Sequence, residues 1–150
     1  MRILITGGNG FIGSNFIRLF LKKDYVRKIV NVDKNSFESI SDSFLNFKSN
    51  KYKKIKDDLS NVNKIEKILK DFKIDIILHM AAESHVDRSI KDPSIYVHSN
   101  IIPTSNLLLA CNKLINKRKI RFIYFSTDEV FGSNHDTARF NLSSRLNPSS

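Results

Sequence analysis

The 150-residue sequence predicts a doubly wound parallel α/β sheet. Three observations lead there. The apolar run Arg2 to Thr6 is followed at once by glycines at G-x-x-G-x-x-G spacing and then by an amphipathic stretch. Strand-type and helix-type segments alternate from there to Ser126. Every chemistry-bearing cluster falls at the C-terminal end of a predicted strand, outside which open α/β sheets bind their ligands.

Gly7, Gly10 and Gly13 define the first corner. Gly7 permits the tight turn, Gly10 lets a pyrophosphate approach the backbone, and Gly13 lets the helix pack closely on the strand. The free N–H groups and dipole of the helix then face the anion. Spaced glycines alone are a weak sign, but the flanking strand and helix are the context the motif requires.

Phe11 to Lys22 reads as a helix, with Phe11, Phe16, Ile17, Leu19, Phe20 and Leu21 expected largely on one sheet-facing side. Lys28 to Asp33, K-I-V-N-V-D, is the second strand. Asp33 lies roughly twenty residues past the last glycine, where an acidic side chain bonds the adenosine ribose hydroxyls. A carboxylate there repels a 2′-phosphate, which points to NAD rather than NADP. A strand-end capping role is the alternative.

Ser36 to Asn50 carries Phe37, Ile40, Phe44, Leu45 and Phe47 near helical spacing and reads as a short helix or an ordered loop. Tyr52 to Lys56 alternates as a third strand. Asp57-Asp58-Leu59-Ser60 follows, and Asn61 caps a helix to about Phe72. Asp58-Leu59 has two readings: a contact with the adenine ring and its amino group, or an acid pair at a helix entry. Ile74 to His79 is a continuous apolar run, as in a buried parallel strand. It leads into Met80-Ala81-Ala82-Glu83-Ser84, small enough in part for a cofactor to pass close to the backbone. Pro93 to Asn116 is helical, with Pro93 in a first turn and Pro103 expected to kink or split the helix. Arg121 to Ser126 is the fifth strand, and Thr127-Asp128-Glu129 sits at its end. Right-handed crossovers stack this order as one parallel sheet with helices on both faces.

Composition bounds the class. At 41% hydrophobic and 27% charged residues, the chain is an ordinary globular domain with enough length for a core. A lone cysteine, Cys111, excludes an internal disulfide and fits a reducing cytosol. It has no nearby base and reads as core. The first strand begins beside Met1, leaving no room for a leader, and no apolar run is long enough to span a bilayer. A cytoplasmic location is therefore expected. The net charge of +10 comes from lysines gathered at element ends, not interleaved with aromatics, so no nucleic-acid or membrane partner is expected. His79, His85, His98 and His135 lack metal-ligand spacing, and His79 reads as structural.

T-G-G-N-G-F-I-G, N-V-D-K, A-A-E-S-H-V-D-R-S-I and S-T-D-E-V-F-G together resemble the extended short-chain dehydrogenase/reductase family. The last two segments are similar, more narrowly, to the dTDP-glucose 4,6-dehydratases, lyases that make deoxysugar precursors such as that of rhamnose. The resemblance implies a Rossmann-type NAD-binding domain over 1–150, truncated after about five strands, with the sugar-nucleotide domain absent. It implies that Phe11 and Ile12 lend N–H groups to the pyrophosphate. Asp33, Lys34, Asn35 and Ser36 surround the adenosine ribose, and Asp58 and Leu59 the adenine. Met80, Ala81, Ala82, Glu83 and Ser84 line the nicotinamide side, with Ser84 also reaching substrate. Ser99 falls where the family has a cofactor-contacting Thr.

In the implied reaction a hydride leaves C4 of the glucose for NAD and returns to C6. Thr127 bonds the sugar near C4, Glu129 removes the C5 proton and Asp128 protonates the departing C6 hydroxyl. Alone, an Asp-Glu pair at a strand end reads more often as a solvated turn; the S-T-D-E-V-F-G context favours catalysis. The sequence departs from the family at Pro103, commonly Gly, at Leu109, frequently Glu, and at Asn141-Leu142, usually acidic. The family's Tyr-x-x-x-Lys motif begins just beyond Ser150, which implies that these residues alone do not turn over. The fifth strand becomes an exposed edge, and the family homodimer, built partly on the Pro93 to Asn116 helix, is weakened. A non-catalytic NAD-binding module and a related epimerase are the competing readings.

Overall fold

The computed structural model describes residues 1–35, 47–133 and 139–149. Five strands form one sheet in the order β3-β2-β1-β4-β5, with every pairing parallel. They are β1 (Arg2–Thr6), β2 (Lys28–Asp33), β3 (Tyr52–Lys56), β4 (Ile76–His79) and β5 (Arg121–Tyr124). The doubly wound sheet expected from the sequence is present, with β4 and β5 each two residues shorter.

Alternation along β1 divides the core. Ile3 and Ile5 join Ile29 and Leu78 under α1 (Phe11–Leu21), which contributes Ile17. Leu4 points the other way, with Val30, Val32 and Ile77, into a cluster covered by α2 (Val62–Asp71) and by Leu107, Ala110 and Leu114 of a later helix. Successive strand residues face opposite sides, and both sides here are apolar, as a two-sided sheet requires. The expected single face of α1 is corrected at two positions. Phe11 is 77% and Leu19 53% exposed, because the stripe that meets the sheet runs through Gly13, Ile17, Phe16 and Phe20.

Asn61 caps α2 as expected, its Oδ1 accepting from the N–H groups of Asn63 at 3.0 Å and Lys64 at 3.1 Å. A short helix not anticipated from the sequence, α3 (Val86–Lys91), precedes α4 (Pro93–Tyr96). A π turn over Val97–Ile101 then joins α4 to α5 (Ile102–Leu114). Pro103 stands in the first turn of α5 and has no N–H for the carbonyl four residues back, Ser99. The expected interruption is therefore a widened turn, a device that redirects side chains at functional sites. A 3-10 turn, Asp128–Phe131, follows β5.

The two edges differ. β3 carries Lys53, Lys54 and Lys56, the charged pattern that blunts edge pairing. β5 bonds only to β4 among the described residues, and Ile123 and Tyr124 are 39% and 47% exposed. The exposed fifth strand is present. Most of the segment read as helix or ordered loop over 36–50 lies outside the described residues. Phe47, at its end, packs edge-on to Tyr52 at 5.1 Å.

Candidate functional site: a groove at the strand ends

The glycine corner has the shape its spacing predicts. Gly7 has φ +70°, and a Cβ there would stand 2.7 Å from both Cα and N of Ala81. The chain leaving β4 thus lies directly against the chain leaving β1. A Cβ on Gly13 would stand 2.4 Å from the Gly7 carbonyl oxygen. The first bond of α1 runs from Ser14 N–H to the Gly10 carbonyl at 3.0 Å. The N–H groups of Phe11, Ile12 and Gly13 precede it, at the positive end of a helix with no acidic residue in its first turn. An anion fits there.

A buried polar network holds this corner, and sequence reading missed most of it. Asn31, in the middle of β2, is fully buried. Its Oδ1 accepts from Gly8 N–H at 3.1 Å, and its Nδ2 donates to Asn9 Oδ1 at 2.9 Å and to the Tyr52 hydroxyl at 3.0 Å. Asp33 is 7% exposed and accepts through both oxygens, from Asn9 N–H at 2.9 Å and from Asn35 N–H at 2.8 Å. Asn35 has φ +59° and bonds Asn9 through its side chain. Asp33 therefore ties the glycine turn to the end of β2 while presenting its carboxylate to the groove. The only sequence sign of Asn31 was an amide inside an apolar strand.

The groove has a volume of about 640 Å³. Gly7, Gly10, Phe11, Ile12, Gly13, Asp33 and Lys34 line one side. Asp58, Leu59, Met80, Ala81, Ala82, Glu83, Ser84 and Ser99 complete it. All the cofactor residues expected from the sequence are thereby brought together except Asn35, which donates its N–H to Asp33 and does not line the groove, and Ser36, which lies outside the described residues. Asp57, Ser60, His98 and Pro103 also line it and were not anticipated. Lys34 Nζ lies 2.7 Å from Glu83 Oε1 and 3.3 Å from Ser99 Oγ, joining the two banks. At the β3 end, Asp57 Oδ1 accepts from Leu59 N–H at 2.7 Å, and Leu59 adopts φ +61°. Hydrogen bonds from the Ser60 hydroxyl and N–H hold the Asp58 carboxyl below its ordinary range, so it remains an acceptor.

Thr127, Asp128 and Glu129 lie past β5, on the same end of the sheet but outside the residues lining the groove. Thr127 Oγ1 caps the 3-10 turn, accepting from Glu129 N–H at 3.2 Å, and all three side chains are exposed. No group of three or more His, Cys, Asp or Glu side chains able to hold a metal occurs among the described residues. No described helix is long and apolar enough to cross a membrane.

The GDP-mannose 4,6 dehydratase family matches residues 4–150 of this chain. The chain belongs to this dehydratase family. The dTDP-glucose 4,6-dehydratase of Salmonella typhimurium is 39% identical over 142 residues, covering 88% of this chain and 38% of the relative. Among solved structures, DesIV, the dTDP-glucose 4,6-dehydratase of Streptomyces venezuelae with NAD bound, superposes with a TM-score of 0.88 at 32% identity. That match covers 99% of this chain and 46% of DesIV. The UDP-Glc/GlcNAc 4-epimerase of Campylobacter jejuni matches with a TM-score of 0.84 at 30% identity, over 98% of this chain and 43% of the epimerase. The chain therefore spans less than half the length of these relatives and corresponds to their N-terminal, Rossmann-like portion.

Proposed function

We propose that this chain supplies the NAD-binding part of a nucleotide-sugar 4,6-dehydratase acting on dTDP-glucose in the cytoplasm. One observation carries the reading: the glycine corner, the buried Asp33 and the Asp58–Ser60 turn lie along one groove in a chain of this family. The residues fit a dinucleotide. The N–H groups at the start of α1 would hold the pyrophosphate, Asp33 and Lys34 the adenosine ribose, and Asp58 and Leu59 the adenine. The nicotinamide lies along Met80, Ala81, Ala82, Glu83 and Ser84, near Ser99. Bound there, NAD supplies a reversible hydride acceptor.

The chain's own residues then handle the sugar and its protons. Ser84 and Thr127 hold sugar hydroxyls, Glu129 takes the C5 proton made acidic by a 4-keto group, and Asp128 gives a proton to the C6 hydroxyl as it leaves as water. The exposed Ile101, Leu108 and Leu109, at 62%, 48% and 50%, support a homodimer through the α5 side.

A second reading, a non-catalytic NAD-binding module, is favoured by the position of Thr127, Asp128 and Glu129 outside the groove. The third, a nucleotide-sugar epimerase, draws on the Campylobacter likeness, but the Asp128-Glu129 pair argues against it. Incubation with NAD and dTDP-glucose, followed by mass spectrometry, tests activity. The 150 residues alone are expected to yield no dTDP-4-keto-6-deoxyglucose, and its appearance would overturn the expectation that turnover needs the family's Tyr-x-x-x-Lys motif. A reading frame continuing past Ser150 into that motif supports the dehydratase, whereas a stop with NAD binding retained supports the module.

A further inference from the structure

Beneath the nicotinamide bank lies a hydrogen-bond relay that none of the proposed binding or proton-transfer roles uses. His79, the last residue of β4, is fully buried, with Tyr124 stacked on its ring at 5.3 Å and Phe122 at 6.0 Å. Its Nδ1 lies 2.6 Å from Thr6 Oγ1 and its Nε2 lies 2.8 Å from Thr104 Oγ1.

Two separate counts fix the tautomer. Thr6 Oγ1 accepts from Ala81 N–H at 3.2 Å and from Met80 N–H at 3.2 Å, the latter shared with the Thr6 carbonyl, also at 3.2 Å. Both its lone pairs are taken, so its one proton goes to His79 Nδ1. At the other end, Thr104 Oγ1 donates to the Asn100 carbonyl at 2.5 Å, so it must accept from Nε2–H. Both ends require the neutral Nε2–H form, with Nδ1 bare. Burial lowers the pKa of His79 to about 4, which keeps that form in place at neutral pH.

The relay closes on itself. Asn100, in the π turn, donates through Nδ2 to the Glu83 carbonyl at 2.9 Å and accepts through Oδ1 from Glu83 N–H at 2.8 Å. The 80–83 segment is thus gripped at Met80 and Ala81 through Thr6, and at Glu83 through Asn100. His79 and Thr104 join the two grips.

We infer that His79 is a positioning residue for the dinucleotide: by holding Thr6 Oγ1 as a double acceptor, it sets the 80–83 backbone against which the nicotinamide end lies. This rests on the NAD reading above. A filler of the core would need only volume. A positioning residue needs an acceptor at the Nδ1 place, which His79→Asn keeps, whereas His79→Gln reaches toward Thr104 and abandons Thr6, and His79→Phe keeps neither.

Long-range proton–nitrogen NMR on the chain should find the Nε2–H tautomer, and Met80 and Ala81 amides slow to exchange. His79→Gln and His79→Phe should each weaken NAD about tenfold by calorimetry, and expose the Ala81 amide, whose partner is Thr6 Oγ1, more than that of Met80, which also bonds the Thr6 carbonyl. His79→Asn should lose least on both measures. Should the His79 variants fail to fold, Thr104→Val, which leaves the ring and its Thr6 partner in place, should keep the Nε2–H tautomer and weaken protection of the Ala81 amide. An Nδ1–H tautomer, or equal NAD affinity and equal amide protection in all variants, would overturn the inference. Absence of NAD binding by the unaltered chain would defeat the cofactor reading alone, and the tautomer and the order of amide protection would still decide the relay.

Discussion

Asn31 shows what a single side chain does for the site. It has four polar commitments in reach and meets three of them with Gly8, Asn9 and Tyr52, all away from water. A buried amide is stable only when so satisfied. Asn31→Ala would orphan the Gly8 N–H and Asn9 Oδ1, and a loss of about 3 kcal/mol is expected by chemical denaturation. His79 gives the pH dependence. Its folded pKa, about 4, is below the unfolded value of 6.5. Its contribution is therefore complete above pH 6.5 and is lost as pH falls through 4, a change of about 3 kcal/mol by linkage. Melting temperature should fall across that window in the unaltered chain and fall less in His79→Phe, once each is referred to its value at pH 7. At this scale the sequence was legible where chemistry is local. Gly7, Gly13 and Asp33 declare themselves by spacing. Asn31 does not, because strand periodicity treats an amide in K-I-V-N-V-D as noise, and its partners come from two other elements.

Elements were legible wherever one signal dominated. The cap at Asn61 and the apolar stripe of Ile65, Ile68 and Leu69 define α2 from either side. Asn61→Ala should cost about 1 kcal/mol, read from thermal melts, with NAD affinity unchanged because Asn61 does not line the groove. The α3 segment buries no residue, so it left no apolar period to read, and its motif letters drew attention instead. Pro103 announced an interruption, but not its form. The π turn arises where the missing N–H of Pro103 meets the demand that Asn100 reach Glu83 and Thr104 reach His79 from one helix. That compromise depends on tertiary contacts, which no window of sequence contains.

At the scale of the whole molecule, right-handed crossovers implied a parallel sheet with helices on both faces, and the two apolar clusters on either side of the β3-β2-β1-β4-β5 sheet bear this out; the strand order itself was not read from the sequence. The same topology collects Gly7, Asp33, Asp58 and Met80 at one edge although they come from four strand ends. The acid pair 128–129 lies at the same end of the sheet but does not line the groove, in the 3-10 turn that follows β5. Calorimetric titration of the chain with NAD and, separately, NADP tests this account most directly. NAD is expected to bind, and NADP at least about tenfold more weakly, because its 2′-phosphate would face the Asp33 carboxylate. No heat with NAD, or equal affinity for the two, would contradict it.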